Sequence, residues 1–246
     1  MRTGNPALND RVFQNYAGQG VQNETMTLQG TINKTLILVG IALVTASYTW
    51  GQYLGGNTQM AMMVAVGGAV GGLITGLICA FKPASSPITA PLYALFEGLF
   101  LGGFSGLMEM RFPGIVIQAV ALTFGTLVVL LIAYKTQLIK VTENLRLGIT
   151  AATGAIALFY FVTFILSFFG IHVPYIHESG LIGIGFSLFV VAIAAMNLVL
   201  DFDFIENGSN TGAPKFMEWY AGFGLLVTLI WLYIEILRLL SKLRSR

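Results

Sequence analysis

Charge is scarce in this sequence: 10% of its 246 residues are Asp, Glu, Lys or Arg, against 56% that are apolar. A soluble domain of that size needs more polar surface than this, so the composition describes a polytopic membrane protein. Cys79 is the single cysteine, which excludes an intrachain disulfide and any cluster of thiolate metal ligands. Histidine is limited to His172 and His177. No apolar core occurs within the first 33 residues, so no cleavable signal peptide is expected. Basic residues form no stripe interleaved with aromatics, which argues against a nucleic-acid partner. No glycine-rich loop joins a strand to a helix, so no soluble cofactor is implied.

What is present is a succession of apolar stretches, each near the roughly 20 residues that a membrane-spanning helix needs. They fall at 35–53, 60–81, 88–108, 114–134, 147–169, 180–200 and 217–240. The fold class expected is all-α, with seven transmembrane helices in one domain over 34–246 and a polar arm over 1–33. That arm is rich in Asn, Gln and Gly and reads as solvated, with a short amphipathic or partner-binding segment around 26–32 as the alternative. Pro83 and Pro87 bracket the second join, and 135–146 is the most charged internal loop.

Glycine is abundant, at 29 residues, and much of it recurs at four-residue spacing. Gly68, Gly72 and Gly76 line one face of the second helix, and Gly98, Gly102 and Gly106 one face of the third. Such stripes let helix backbones approach closely in a solvent where apolar burial gives little drive. Counting Lys and Arg in alternate loops favours a cytoplasmic N-terminus, since Arg2, Arg11, Lys34, Lys82, Lys135, Lys140, Arg146 and Lys215 then share that side. Seven crossings put Arg238, Lys242, Arg244 and Arg246 on the other side, which conflicts with the same count.

The informative residues are acids. Asp201 and Asp203 stand where the sixth apolar run ends, and Glu235 lies inside the seventh, flanked by Tyr233, Ile234, Ile236 and Leu237. Carboxylates at such positions are costly and face a bundle interior or a water-filled path. Asp203 and Glu206 read as the polar end of the sixth helix, while Asp201 and Glu235 do not fit that description. Glu97, in the middle of the third helix, is the deepest acid by position and a candidate for an ion path; as a neutral acid it would hydrogen-bond a neighbouring helix. If Asp201 and Glu235 meet, they share a proton, because two ionised carboxylates in contact repel. Their oxygens would also suit Ca²⁺.

Catalytic readings find less support. Gly103, Ser105 and Gly106 match the GxSG of rhomboid-type intramembrane proteases, but that chemistry needs a histidine base, and both histidines fall in a loop beside Pro174. The GxGD pattern of presenilin-like proteases is absent. His172 and His177 read as solvated loop residues, with metal binding or titration as the alternative. No enzyme activity is expected.

The segment at 213–243, APKFMEWYAGFGLLVTLIWLYIEILRLLSKL, and NLVLDFDFIENG at 197–208 resemble the Bax inhibitor-1 family in its bacterial YccA-like branch. NPALN at 5–9 and APLYALFEGLFLGG at 90–103 extend the resemblance. It implies seven helices with the seventh at the centre of the other six, and a pH-sensitive Ca²⁺ leak. It implies too a pair of acids, near the end of helix 6 and in helix 7, that share a proton. Asp201 best matches the first, with Asp203 the fallback, and Glu235 stands where the family has aspartate. The basic latch of some relatives has no counterpart in helix 2, which lacks Arg and Lys. The stretch between Asp201 and Glu235 is longer than the family's spacing, so equal depth requires helix 6 to continue past Asp201 or helix 7 to begin outside the membrane.

The function expected is therefore a cation leak, for Ca²⁺, in a bacterial inner membrane, gated by protonation of Asp201 and Glu235. Its partners would be the lipid bilayer, Ca²⁺ and protons. The alternative is a membrane interaction protein that modulates a membrane-bound protease or a stress or cell-death complex.

Overall fold

The computed structural model describes residues 25–170 and 180–245. The arm over 1–24 and both histidines lie outside them. Among the described residues, seven helices are long and apolar enough to cross a membrane: α1 (Leu28–Leu54), α2 (Thr58–Phe81), α3 (Ser86–Arg111), α4 (Ile115–Lys135), α5 (Glu143–Phe168), α6 (Leu181–Asn210) and α7 (Met217–Arg244). The chain is an all-α membrane protein. At about 1.5 Å per residue, even the shortest, with 21 residues, reaches about 30 Å, the thickness of a hydrocarbon core.

Two helix boundaries depart most from the sequence expectation. Helix α1 starts at Leu28, seven residues ahead of the apolar run, because Thr27 caps it: its hydroxyl accepts from the Gly30 amide at 3.0 Å. Helix α6 runs on to Asn210. Asp203 and Glu206 thus lie within the helix and not at its last residue. The buried side chains Phe204 and Ile205 hold that last stretch helical, although its polar residues suggested an end.

Two compact units divide the chain, and α6 and α7 each contribute one part to each unit. Among the described residues, the first comprises 25–113 and 203–227. In it α3 packs against both α1 and α2. The glycine stripes make this contact: a Cβ at Gly102 would overlap the Ala46 carbonyl of α1, and one at Gly68 would lie 2.6 Å from the Phe96 carbonyl. Backbone meets backbone there, the packing that small residues allow.

A second contact in this unit ties α1 to the start of α7. Met26, 2% exposed, donates its amide to the Ala213 carbonyl at 2.7 Å. Glu218, 1% exposed, accepts from the Thr27 amide at 3.0 Å and from its hydroxyl at 2.9 Å, and it pairs with Lys215 at 2.8 Å. Lys34 lies over the Trp219 ring at 5.0 Å.

Among the described residues, the second unit comprises 114–170, 180–202 and 228–245. Thr142 caps α5 by accepting from the Leu145 amide at 3.2 Å. Aromatic contacts join α5 to α6, where Phe186 meets Phe159 at 5.4 Å and Tyr160 at 6.4 Å between ring centroids. Tyr134 of α4 meets Phe202 of α6 at 6.0 Å.

Candidate functional site

Glu235 is the most informative side chain of the second unit, since it is 1% exposed in a helix chosen by apolar residues on either side. Its charge is met locally. Arg238, one turn on, brings Nη1 to 2.9 Å from Oε1 and 3.2 Å from Oε2. The spacing of three residues puts both on one helix face. The Tyr160 hydroxyl of α5 donates to the same two oxygens at 3.1 and 3.2 Å, and accepts from Arg238 at 2.7 Å. The guanidinium also lies over the Tyr160 ring, 5.0 Å from its centroid. Carboxylate, guanidinium and phenol thus form a closed triangle in which each member touches the other two. Such charge-assisted bonds are shorter and stronger than neutral ones, so the triangle fixes the Glu235 rotamer.

Further along α7, Lys242 is buried, and its ammonium donates to the Gly183 carbonyl at 3.0 Å and to the Ser187 hydroxyl at 2.8 Å. Between α5 and α6, Asn197 donates to the Thr153 hydroxyl at 2.8 Å and to the Ile193 carbonyl at 2.9 Å. Asp201 is wholly buried in the same stretch of α6, 0% exposed.

The other candidates belong to the first unit. Asp203 is half-buried and accepts from Asn207 at 3.1 Å, one turn on. Glu97 is half-buried in α3, its carboxylate over Gly72 of α2, where an added Cβ would lie 2.6 Å from Oε2. The glycine stripe of α2 therefore makes the room that the Glu97 carboxyl occupies. Among the described residues, no three His, Cys, Asp or Glu side chains gather where they could hold a metal ion. A Ca²⁺ ion at Asp201 or Glu235 would need backbone carbonyls and water to complete its coordination.

Sequence reasoning found Asp201 and Glu235 by their apolar surroundings, but missed the groups that hold Glu235 and the polar contacts around it. Arg238 and Lys242 were read as topology signals at the end of a span; here they are internal partners of α7 and α6. The Glu-x-x-Arg spacing was a usable signal for the first. Tyr160, Thr153 and Ser187 carried none, because only tertiary packing brings them close. Glu218 was missed for a similar reason, although Lys215 stands three residues before it.

No curated protein and no solved structure matches this chain. The family model described as Bax inhibitor 1 like matches residues 5–245. With nearly the whole chain covered, helices, buried acids and arm alike, this protein belongs to the Bax inhibitor 1 like family.

Proposed function

We propose that this protein is a proton-sensitive cation leak, for Ca²⁺, in which Asp201 and Glu235 are the groups whose protonation sets the flux. The observation that carries this reading is the Glu235–Arg238–Tyr160 triangle inside an apolar span. Protonating Glu235 removes the charge that holds Arg238, and a guanidinium without its counter-ion must reorganise or find water. That is a local electrostatic change with two discrete outcomes, the requirement for a pH gate. Hard oxygen donors along α6 and α7 suit Ca²⁺ better than a soft metal.

Family membership supports the reading at a coarse level. So does the burial of α7, of whose most apolar window 67% is buried against at most 44% in any other span, as a helix at the centre of the bundle would have. The distribution of Lys and Arg in the loops supports a cytoplasmic N-terminus; the bacterial inner membrane rests on the family resemblance alone.

The test is Ca²⁺ entry into dye-loaded proteoliposomes across about pH 5 to 8, a range over which a buried carboxyl can change its charge. Acid protonates Glu235, so Glu235→Gln mimics the acid form at that site and is expected to remove the part of the pH profile that Glu235 sets. Asp201→Asn is expected to flatten part of the profile. Flux that keeps its full pH dependence in both variants would overturn the proposal, as would no flux above empty liposomes.

A further inference from the structure

Asp201 and Glu235 can share a proton only if their oxygens come within about 2.7 Å. Three sets of contacts in the second unit measure how far apart they stand. Consecutive spans joined by short loops run antiparallel, so α6 runs against both α5 and α7. Lys242 of α7 bonds Ser187 of α6. From there Glu235 is seven residues back along α7, and Asp201 is fourteen residues forward along α6. Both moves are in the same direction, and they leave a difference of seven residues, about 10 Å at 1.5 Å per residue.

A lysine stem can slip by a turn, but the second ruler does not depend on it. Tyr160 of α5 bonds Glu235, while Thr153, seven residues before Tyr160, bonds Asn197. Asn197 therefore stands about 10 Å below Glu235 along the helices, and Asp201 is one further turn away on the same side. A third contact agrees: the Tyr160 ring meets Phe186, which precedes Asp201 by fifteen residues, about 22 Å of helix. Helical side chains lean toward their own N-terminus, so these two lean toward each other, but a combined lean of about 5 Å closes none of these gaps.

We infer that Asp201 and Glu235 are two separate proton-binding stations, about 10 to 20 Å apart along the helices, with the Asn197–Thr153 pair as the polar step between them. The regulation in the proposed leak then comes from two independent groups and not from one shared proton; that functional part rests on the leak reading, whereas the separation does not. Each station has its own surroundings. Glu235 faces Tyr160 of α5 and Arg238 of its own helix, with Lys242 two turns on. Nearest to the level of Asp201 are Arg146 of α5, itself buried, and Tyr134 and Lys135 at the end of α4, where Tyr134 meets the neighbouring Phe202. The facing stretch of α7, around Thr228, carries no charge.

The experiment is a pH titration of the carboxyl C=O stretch by infrared difference spectroscopy on the purified full chain, with Asp201→Asn, Glu235→Gln and the double variant. Both substitutions keep the shape of the side chain. Two stations predict that each variant loses one band and leaves the midpoint of the other in place, within a few tenths of a pH unit. A shared proton predicts that removing either acid moves the other's midpoint by more than about one unit, and that result would overturn the inference. So would the absence of any band that either substitution removes.

Proteoliposome flux on the same variants reports the functional part by itself. With two stations the double variant combines the two single effects on the pH profile, while with one dyad it adds nothing to either. Asn197→Leu is expected to lower flux several-fold without moving either midpoint; unchanged flux would remove the Asn197–Thr153 step from the path. Absence of flux with both bands intact would end the leak reading and leave the separation standing.

Discussion

The Glu235 carboxylate illustrates how a single residue can be tolerated in an apolar helix when its neighbours are arranged around it. Arg238 supplies a formal charge and Tyr160 a directed hydrogen bond, so the two contributions can be separated by substitution. Tyr160→Phe removes the hydroxyl that bonds both Glu235 and Arg238 while the ion pair stays, and a cost of about 1 to 2 kcal/mol in unfolding free energy is expected. Arg238→Ala leaves a buried carboxylate without its charge partner, and about 2 to 3 kcal/mol is expected, reduced from a fully buried pair because the guanidinium keeps some contact with solvent. Arg238→Lys keeps the charge but loses the planar stack on the Tyr160 ring, so it should fall between these two. Thermal unfolding in detergent would rank the three. If Arg238→Ala proves milder than Tyr160→Phe, the hydrogen bond and not the ion pair holds Glu235.

At the scale of elements, the seven spans were legible because a run of about 20 apolar residues has one meaning in a membrane protein. The ends were less so. Hydropathy set the end of helix 6 at the first acid, but a helix stops when its backbone or packing stops, and Phe204 and Ile205 are buried beyond that acid. Helix 1 began early because of a Thr cap, which hydropathy does not register. The glycine spacing was a reliable local signal, since a small residue is needed on one face every four positions where a neighbouring backbone or a buried side chain comes close. That gives a prediction within the first unit. Gly102→Ala puts a methyl group into the Ala46 carbonyl of α1 and is expected to cost about 1 to 3 kcal/mol, whereas Gly125→Ala in α4, where the added Cβ meets nothing within 4 Å, should be neutral or slightly stabilising. Equal melting temperatures for the two variants would mean that α1 and α3 part without cost.

For the molecule as a whole, the long-range tie that matters is the one between the first helix and the last. Thr27 and Glu218 are separated by 191 positions in sequence, and their two hydrogen bonds close that interval within the first unit. Nothing in the local sequence announces it: Thr27 reads as a cap for α1, and Glu218 as an acid in the first turn of α7, where it also suits the helix dipole. Only tertiary packing brings them together, which is why neither residue stood out in the sequence. Because Glu218 is buried, removing it leaves the Thr27 amide and hydroxyl short of an acceptor. Glu218→Ala is therefore expected to lower stability by about 1 to 3 kcal/mol, and Thr27→Val by about 1 to 2. The double variant should cost less than the two together, since both singles break one contact. Gly30→Ala, whose methyl group would overlap the Glu218 carboxylate, should reproduce much of the loss without deleting a polar group. Measured by thermal unfolding in detergent, additive losses would show that Thr27 and Glu218 act separately. Proteoliposome flux with an unaltered pH profile in Glu218→Ala would then assign this clamp to holding the fold and leave pH sensing to the acids of the second unit.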